Sequence, residues 1–401
     1  MSKLWDLVIV GAGPAGLNAA ITGAEKGLDI KVIDEFPKVG GRLLGQLYQE
    51  PSGKWLNGIE ESSILHQKAV NLGVTIECGV SVYNIEQTDA GWKIHTSQGQ
   101  EVAQKLLLAT GATEVPVPIP GWTLPGAISI GAAQVMGNVH RVKPGNSCVI
   151  IGANVLSVAI ANELQLCGID VKEIIIPAKN LTSNEAGSPE KVMESLMRLT
   201  HLAPSAFLRQ AGKLAKFVSP RFAIKYFPKK GIKISDIPIR IKTAATEIIG
   251  HNQVTGVKTV QVNADGETIE NTDDIVGTDF VCIAGGLAPL PELAALIGCS
   301  FIYVKELGGH VPVHSERMKT NVPNLFVAGN ITGIESAKVA MAQGQVAGLT
   351  IASELTDNKL DSQINKAIGH VKQTRAEALI QFQPNISQAR EHAYHQFKRN
   401  A

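Results

Sequence analysis

Glycines and acidic residues near the start of the chain have the spacing of a nucleotide-binding turn. Residues 5–10, WDLVIV, form a mainly apolar run typical of a buried strand, and Gly11–Gly16, GAGPAG, follows directly. A helical pattern and a second strand-like run, Asp29–Ile33, then lead to Asp34 and Glu35. This order of strand, GxGxxG, helix, strand and acid predicts a βαβ unit that binds a dinucleotide.

Each residue of the glycine turn has its own expected task. Gly11 permits the tight turn, Gly13 lets a pyrophosphate approach the backbone, and Gly16 allows close helix–strand packing. Pro14 and Ala15 begin the helix, whose N-terminal N–H groups stabilise phosphate charge.

The acidic pair at the end of the second strand is expected to bind ribose. Asp34, 23 residues after Gly11, is the first choice for accepting from the ribose hydroxyls. Glu35 is the alternative, because the sequence does not fix where the strand ends. The competing interpretation is a glycine-rich turn beside an exposed carboxylate, which would not require all four features to occur together.

Three later segments place small residues where a long cofactor would pass. Gly40–Arg42 follows the acidic pair, and Ala109–Gly111 ends an apolar strand. Asn324–Asn330 is a strand pattern ending in a glycine and a polar residue, and a helix is predicted over Ile334–Leu355. Small side chains at a strand end suit a chain that passes close to a ligand. The N–H groups at the start of that helix are suited to an electron-rich ring oxygen.

The middle of the chain predicts a second βαβ unit with a weaker glycine motif. Cys148–Ile151 is its strand, and Gly152–Ser157, GANVLS, is its turn. Asn154 and Ser157 replace two glycines, and no acid ends the second strand, Asp170–Ile176. A Rossmann-like scaffold that binds no dinucleotide is at least as well supported as a working site.

Two polar segments are predicted to be helical. Ser188–Phe227 is mildly basic, and we interpret its charges as a solvated face, with a phosphate or partner contact as the alternative. Its basic residues and their close followers are Lys213, Lys216, Arg221, Lys225, Lys229 and Lys230. Asp361–Gln381 belongs to a polar tail over residues 359–401.

Composition excludes several classes of protein. The net charge is +1, and aromatic residues make up 5% of the 401 residues, which argues against a nucleic-acid partner. Two long uncharged stretches, Leu7–Ala24 and Val115–His140, are interrupted by glycine or proline, so no membrane span is expected. The five cysteines are scattered and never spaced CxxC, which predicts a reduced, cytoplasmic protein without a metal site.

Two βαβ units, with the first domain completed by the last third of the chain, resemble the two-dinucleotide-binding-domain flavoproteins of the pyridine nucleotide-disulfide oxidoreductase superfamily. The resemblance covers about residues 5–355. It implies that the glycine turn and its acid bind the ADP half of FAD. It also implies an ATG motif at the domain crossing, here Ala109–Gly111, and an AGD motif at the ribityl chain, here Ala328–Asn330 with Asn in place of Asp. The expected FAD contacts are Gly11, Gly13, Pro14, Ala15, Gly16, Asp34, Glu35, Gly41, Arg42, Val82, Ala109, Thr110, Gly111, Gly329, Asn330, Ser336 and Ala337.

Other segments narrow the resemblance to the FAD subunits of opine oxidase, dye-linked proline dehydrogenase and hydrogen cyanide synthase. These segments are Gly121–Ala127, Gly131–Gln134, Gly286–Pro289 and Leu307–Pro312. The resemblance implies an FAD-dependent oxidoreductase that oxidises a small amine, amino acid or opine and is part of an oligomer. The alternatives are an electron-transferring or assembly component beside a second flavoprotein subunit, and an NAD(P)H-dependent reductase. Thioredoxin-reductase-like chemistry would need a CxxC pair.

The predicted fold is α/β, with two Rossmann-like three-layer domains, the FAD domain discontinuous, and a short helical C-terminal tail. The predicted boundaries are 1–115 and 280–358 for the FAD domain, 116–279 for the second domain with a helical insertion at about 183–230, and 359–401 for the tail. The sequence assigns no catalytic acid or base. Lys338, Gln46 and Tyr48 are candidates near the ring, although solvent exposure or packing explains them equally well or better.

Overall fold

In the computed structural model the described residues are 3–49, 53–198, 219–356, 358–378 and 385–400. The chain forms two compact units. Unit 1 takes in the chain up to Gln46, Leu56–Thr113 and the chain from Leu287 onward. Unit 2 takes in Leu47–Trp55 and Glu114–Gly286. The predicted α/β class and the discontinuous first domain are confirmed.

The strands and helices are numbered in chain order within the described residues. The strands are β1 Leu4–Val10, β2 Ile30–Asp34, β3 Leu47–Gln49, β4 Trp55–Asn57, β5 Thr75–Cys78, β6 Val82–Thr88, β7 Gly91–Thr96, β8 Gly99–Leu108, β9 Ala112–Glu114, β10 Ala127–Ser129, β11 Ser147–Ile151, β12 Asp170–Pro177, β13 Ile232–Ile234, β14 Ile237–Gly250, β15 Val254–Gln261, β16 Asp274–Gly277, β17 Phe280–Ile283, β18 Leu287–Pro289, β19 Phe301–Val304, β20 Gly309–Pro312 and β21 Leu325–Val327. The helices are α1 Pro14–Ala24, α2 Gly58–Asn71, α3 Ile130–Asn138, α4 Val155–Leu166, α5 Pro189–Arg198, α6 Pro220–Lys225, α7 Glu292–Leu296, α8 Ala337–Leu355, α9 Asp361–Ala376 and α10 Ile386–Asn400.

The main sheet of unit 1 has the order β5-β2-β1-β8-β7-β6, and β21 pairs with β8. The strands β5, β2, β1, β8 and β21 run parallel, and Val10 lies opposite both Ile33 and Leu108. Leu108 in turn lies opposite Val327. The residues that follow β2, β1, β8 and β21 therefore meet at one edge of the sheet, where ligands of parallel α/β sheets bind.

Helices α1 and α8 pack closely because small residues face each other. A Cβ atom added at Gly344 would lie 2.1 Å from the carbonyl oxygen of Ala15, and one at Gly348 would lie 2.7 Å from that of Ala19. Such distances are far shorter than any ordinary contact, so only glycine fits. The close packing holds the start of α1 against the C-terminal part of unit 1.

Unit 2 has a sheet of the order β10-β17-β11-β12-β14-β15-β16, with β13 beside β14. The five strands β10, β17, β11, β12 and β14 run parallel to one another. The strands β14, β15 and β16 form an antiparallel meander. One face of β11 packs Cys148 and Ile150 against helix residues such as Ile160, and Val149 and Ile151 belong to a second core cluster. Both faces are covered, which explains why β11 is continuously apolar.

Some predicted helices differ from the observed ones. The helix predicted from Ile334 begins at Ala337, because the hydroxyl of Ser336 caps it by accepting from the N–H of Val339 at 3.4 Å. Of the predicted helical stretch at Ser188–Phe227, α5 and α6 are described, while residues 199–218, with Lys213 and Lys216, lie outside the described residues. The tail prediction is met by α9, and residues 379–384 lie outside the described part.

Candidate functional site

The glycine turn after β1 combines two glycines that the protein requires with one that it does not. Gly11 has φ +109°, and a Cβ atom there would lie 2.4 Å from the carbonyl oxygen of Ala109. A Cβ at Gly16 would lie 1.9 Å from the carbonyl oxygen of Gly11. At Gly13 an added Cβ meets nothing within 4 Å. The space beside Gly13 is therefore open, as a path for a pyrophosphate requires.

The Gly40–Arg42 turn lies directly against this glycine turn. The N–H of Gly40 donates to the carbonyl oxygen of Ala12 at 2.8 Å, and a Cβ at Gly41 would lie 3.2 Å from the Cα of Gly13. Arg42 Nε donates to the carbonyl oxygen of Ala112 at 3.1 Å. The structure thus brings the Gly40–Arg42 turn against the Gly11–Gly16 turn, although more than twenty residues separate them along the chain.

The two acidic residues at the end of β2 differ in their surroundings. Asp34 accepts from the N–H of Ala12 at 2.6 Å and from the N–H of Phe36 at 2.8 Å, one on each carboxylate oxygen. Burial raises the pKa of Asp34, and these two hydrogen bonds oppose the shift. Glu35 is exposed and makes no hydrogen bond to any described residue. Asp34 clamps the glycine turn to β2, and both carboxylate oxygens of Glu35 are without a hydrogen bond to the described residues.

Val82 and the ATG motif lie at the same edge of the sheet. Val80 donates its N–H to the carbonyl oxygen of Asp34 at 3.0 Å, which brings the start of β6 at Val82 close to the acidic pair. The N–H of Ala109 donates to the carbonyl oxygen of Val10 at 2.8 Å. The hydroxyl of Thr110 donates to the carbonyl oxygen of Leu290 at 2.6 Å, so that side chain serves the protein itself.

The AGN segment after β21, Ala328–Asn330, completes the edge. Gly329 has φ +80°, and a Cβ there would lie 2.8 Å from the Cβ of Ala15, so the segment lies against the start of α1. Asn330 Oδ1 accepts from the N–H of Glu335 at 3.1 Å. Its Nδ2 has no hydrogen-bond partner within the described ranges, which leaves an amide donor suited to a phosphate or hydroxyl oxygen.

These residues fit a dinucleotide such as FAD. The open space at Gly13, the N–H groups that begin α1, the carboxylate of Glu35 and the amide of Asn330 are of the kinds that a pyrophosphate and a ribose need. Ser336 contributes mainly as the cap of α8, and Ala337 is its first residue. Lys338 is exposed, and Tyr48 lies in β3 of unit 2.

The corresponding turn in unit 2 is built differently. Gly152 has φ +118°, and a Cβ there would lie 2.1 Å from the carbonyl oxygen of Ala284, so this glycine is required by the protein. Asn154 and Ser157 hydrogen bond to each other across the turn, and Asn154 Nδ2 donates to the carbonyl oxygen of Ala284 at 2.8 Å. The N-terminus of α4 is capped by its own side chains.

One cluster that the sequence did not indicate lies beside the AGN segment. Glu335, Arg375 and Arg390 are buried together, although the arginines are 40 and 55 residues away from the glutamate along the chain. No spacing rule connects residues so far apart. Elsewhere, the part of the chain that the structure describes holds no group of three or more His, Cys, Asp or Glu that would suit a metal ion. Among the helices described here, none is long and apolar enough to cross a membrane.

Comparison with known proteins finds a matching family, related sequences and a solved structure with the same fold. The family described as pyridine nucleotide-disulphide oxidoreductase matches residues 5–200 and 207–344. An opine oxidase subunit of Rhizobium meliloti is 26% identical over 366 residues, covering 88% of this chain and 72% of that protein. Hydrogen cyanide synthase subunit HcnB of Pseudomonas protegens is 24% identical and covers 86% of this chain and 69% of that protein. The crystal structure of T. acidophilum thioredoxin reductase shares the fold, with a TM-score of 0.62 at 23% identity, covering 88% of this chain and 99% of that one.

Proposed function

Because this chain belongs to the pyridine nucleotide-disulphide oxidoreductase family and is an FAD-dependent oxidoreductase, we propose that it oxidises a small amine, amino acid or opine by hydride transfer to the flavin. The relative named as an opine oxidase subunit supports this substrate class. The carbon that bears the amino group would lose the hydride, and bound FAD supplies the redox chemistry that the side chains of the protein lack.

The capped turn of unit 2 is the observation that carries this proposal. A nicotinamide dinucleotide needs the free N–H groups of a helix N-terminus for its pyrophosphate. In this chain, the side chains of Asn154 and Ser157 accept from two of the N–H groups at the start of α4, those of Ser157 and Asn154. The cap therefore supports a proposal in which the electrons come from an organic substrate and not from NAD(P)H. The lack of any CxxC pair in the sequence likewise argues against dithiol chemistry.

The residues of unit 1 would hold and orient the cofactor. The turn at Gly13 admits the pyrophosphate, Glu35 accepts from a ribose hydroxyl, and the amide of Asn330 donates to a phosphate or ribityl oxygen. The first turn of α8 carries the partial positive charge of a helix N-terminus, which would stabilise negative charge on the reduced ring.

A second candidate function is supported by the names of the relatives. The opine oxidase relative and HcnB are both named as subunits. On this alternative the chain passes electrons or assists assembly beside a second flavoprotein subunit that carries the substrate site.

Anaerobic mixing experiments test these candidates. Purified, FAD-loaded protein is mixed with NADH, with NADPH and with a panel of amines, amino acids and opines while the flavin absorbance band is followed. Bleaching by a member of the panel, with no bleaching by either nicotinamide, is the expected result. Bleaching by NADH or NADPH would establish a reductase instead. No bleaching by any compound, followed by bleaching when a co-purified partner subunit is added, would support the electron-transferring role.

A further inference from the structure

A buried cluster of three charged residues connects the C-terminal helices to the segment after β21. Glu335 accepts from Nε of Arg375 at 2.5 Å and from its Nη2 at 3.1 Å. Nη2 of Arg390 donates to the same carboxylate at 2.6 Å. Burial raises the pKa of Glu335, but the charges and hydrogen bonds of Arg390 and Arg375 outweigh this effect and hold the pKa below its usual range. The carboxylate is therefore charged and fully engaged by α9 and α10.

Arg390 also binds the backbone of the segment itself. Its Nη1 donates to the carbonyl oxygen of Thr332 and, at 2.9 Å, to the hydroxyl of that residue. Its Nη2 donates to the carbonyl oxygen of Gly333 at 3.3 Å, and a Cβ at Gly333 would lie 3.0 Å from this nitrogen. A planar guanidinium with several aligned donors is suited to fixing one backbone geometry.

The fixed segment is the one that carries the expected FAD contacts. The hydroxyl of Thr332 donates to the carbonyl oxygen of Gly329 at 2.8 Å, and the N–H of Gly329 donates to Oε1 of Gln343 at 2.9 Å. Asn330 is held through the N–H of Glu335. A displacement of Glu335 would therefore turn the Asn330 amide and shift the start of α8.

We propose that Arg390 and Arg375 are positioning residues of the FAD site, so that the C-terminal helices help to set both the affinity and the reduction potential of the flavin. Neither arginine is proposed to touch FAD. They act through Glu335, which orients Asn330 and the beginning of α8. The cluster also carries one net positive charge, which favours the reduced, more negative flavin. The inference rests on FAD as the cofactor and is independent of the substrate.

Arg390→Gln is compared with Arg317→Gln to test the proposal. Arg317 forms an exposed ion pair of 2.7 Å with Asp361 at the start of α9, so its loss removes a contact of the same tail without touching the Gly329–Glu335 segment. The dissociation constant of FAD is measured by titrating each apoprotein, the midpoint potential by equilibration with a reference dye, and the unfolding temperature of each apoprotein as a third readout.

Arg390→Gln is expected to weaken FAD binding by about tenfold and to make the midpoint potential more negative. Arg390→Lys should be intermediate, since it keeps the charge but not the planar fork. Arg317→Gln should change neither quantity. A lower unfolding temperature for Arg390→Gln with unchanged affinity and potential would overturn the proposal, as would equal effects of the two glutamine variants.

Glu335→Gln decides the matter if Arg390→Gln does not fold. It keeps the shape and one accepting oxygen but removes the charge that the two arginines share. Weaker FAD binding in Glu335→Gln supports the proposal, and FAD binding equal to that of the parent overturns it.

Discussion

Asn154 and Ser157 cap each other across the turn that opens α4. The Ser157 hydroxyl accepts from the N–H of Asn154 at 2.8 Å, and Asn154 Oδ1 accepts from the N–H of Ser157 at 3.1 Å. They are two of the N–H groups at the start of the helix that a bound pyrophosphate would use in a working dinucleotide turn. A side chain has thus taken the place of a ligand at the N-terminus of this helix.

We therefore predict weak binding of NADH and NADPH or none. Calorimetric titration of the protein with either nucleotide should show no binding with a micromolar dissociation constant. Asn154→Ala should lower the free energy of unfolding by about 1 kcal/mol, the usual cost of losing a helix cap. Micromolar binding of NADPH to the parent protein would contradict this prediction and favour the reductase.

Gly13 and Gly16 should respond differently to a larger side chain. Gly13 has φ −75°, which valine tolerates, and open space where a Cβ atom would lie. Gly13→Val should give folded but colourless protein, because the new side chain occupies the path of the pyrophosphate. Gly16→Val should fail to fold, because its Cβ would collide with the carbonyl oxygen of Gly11. Absorbance at the flavin band and circular dichroism check both outcomes. A normal flavin content in Gly13→Val would remove this turn from the FAD site.

Substitutions of Asp34 and of Glu35 should have different effects, the first on the stability of the protein and the second on its affinity for FAD. Asp34→Asn replaces one accepting oxygen by a donor that faces a backbone N–H, which should cost about 1–3 kcal/mol of unfolding free energy. Glu35→Gln should leave stability unchanged and weaken FAD binding by up to about tenfold, since a charge-assisted hydrogen bond becomes a neutral one. Chemical denaturation and FAD titration distinguish them. Unchanged FAD affinity in Glu35→Gln would return the ribose contact to Asp34.

Asn330 should tolerate aspartate better than alanine. Aspartate keeps the oxygen that accepts from the N–H of Glu335 and accepts more strongly from a ribityl hydroxyl, but it loses the amide donor and adds charge that the phosphates repel. Because these effects oppose one another, we expect Asn330→Asp to change FAD affinity by no more than about 1.4 kcal/mol, a factor of about ten. Asn330→Ala should lose FAD faster during dialysis. If the alanine variant retains FAD as well as the parent does, Asn330 is not a ligand.

The free energy of unfolding of unit 2 should fall as the pH rises, because buried Glu163 loses its proton. Its Oε2 accepts from Nε2 of Gln134 at 2.9 Å and Nδ2 of Asn138 at 2.6 Å, and burial raises its pKa from 4.5 to about 7. The folded state thus holds a proton that the unfolded state releases, and the stability due to this proton is lost between about pH 4.5 and pH 7. The loss amounts to about 3 kcal/mol.

Denaturation at pH 5 and pH 8 measures this dependence. Glu163→Gln should flatten the pH dependence of the free energy of unfolding and be more stable than the parent at pH 8. The exposed Glu270, also in unit 2, supplies the control variant Glu270→Gln, which should behave like the parent. Equal pH dependence in all three proteins would show that Glu163 is charged in the folded state at pH 7.

The α/β fold and the FAD cofactor were predictable from the sequence because their signals are local. A buried strand, the Gly11–Gly16 turn and a helix lie within about twenty residues of one another, and each residue type has few other uses in that order. Gly16 is required by its contact with Gly11 inside the turn, and Gly11 by its positive φ and its close approach to Ala109. The same local reasoning identified the weakened motif at Asn154.

The roles of individual side chains depended on the tertiary structure. Asp34 and Glu35 are adjacent in the sequence, and only the direction of the backbone at the end of β2 decides which carboxylate accepts from Ala12 and Phe36. The orientation of the Asn330 amide depends on Glu335, and Glu335 depends on arginines from two later helices. Hydrogen bonds act over about 3 Å, so their partners are set by where the packed helices and strands place them and not by spacing along the chain.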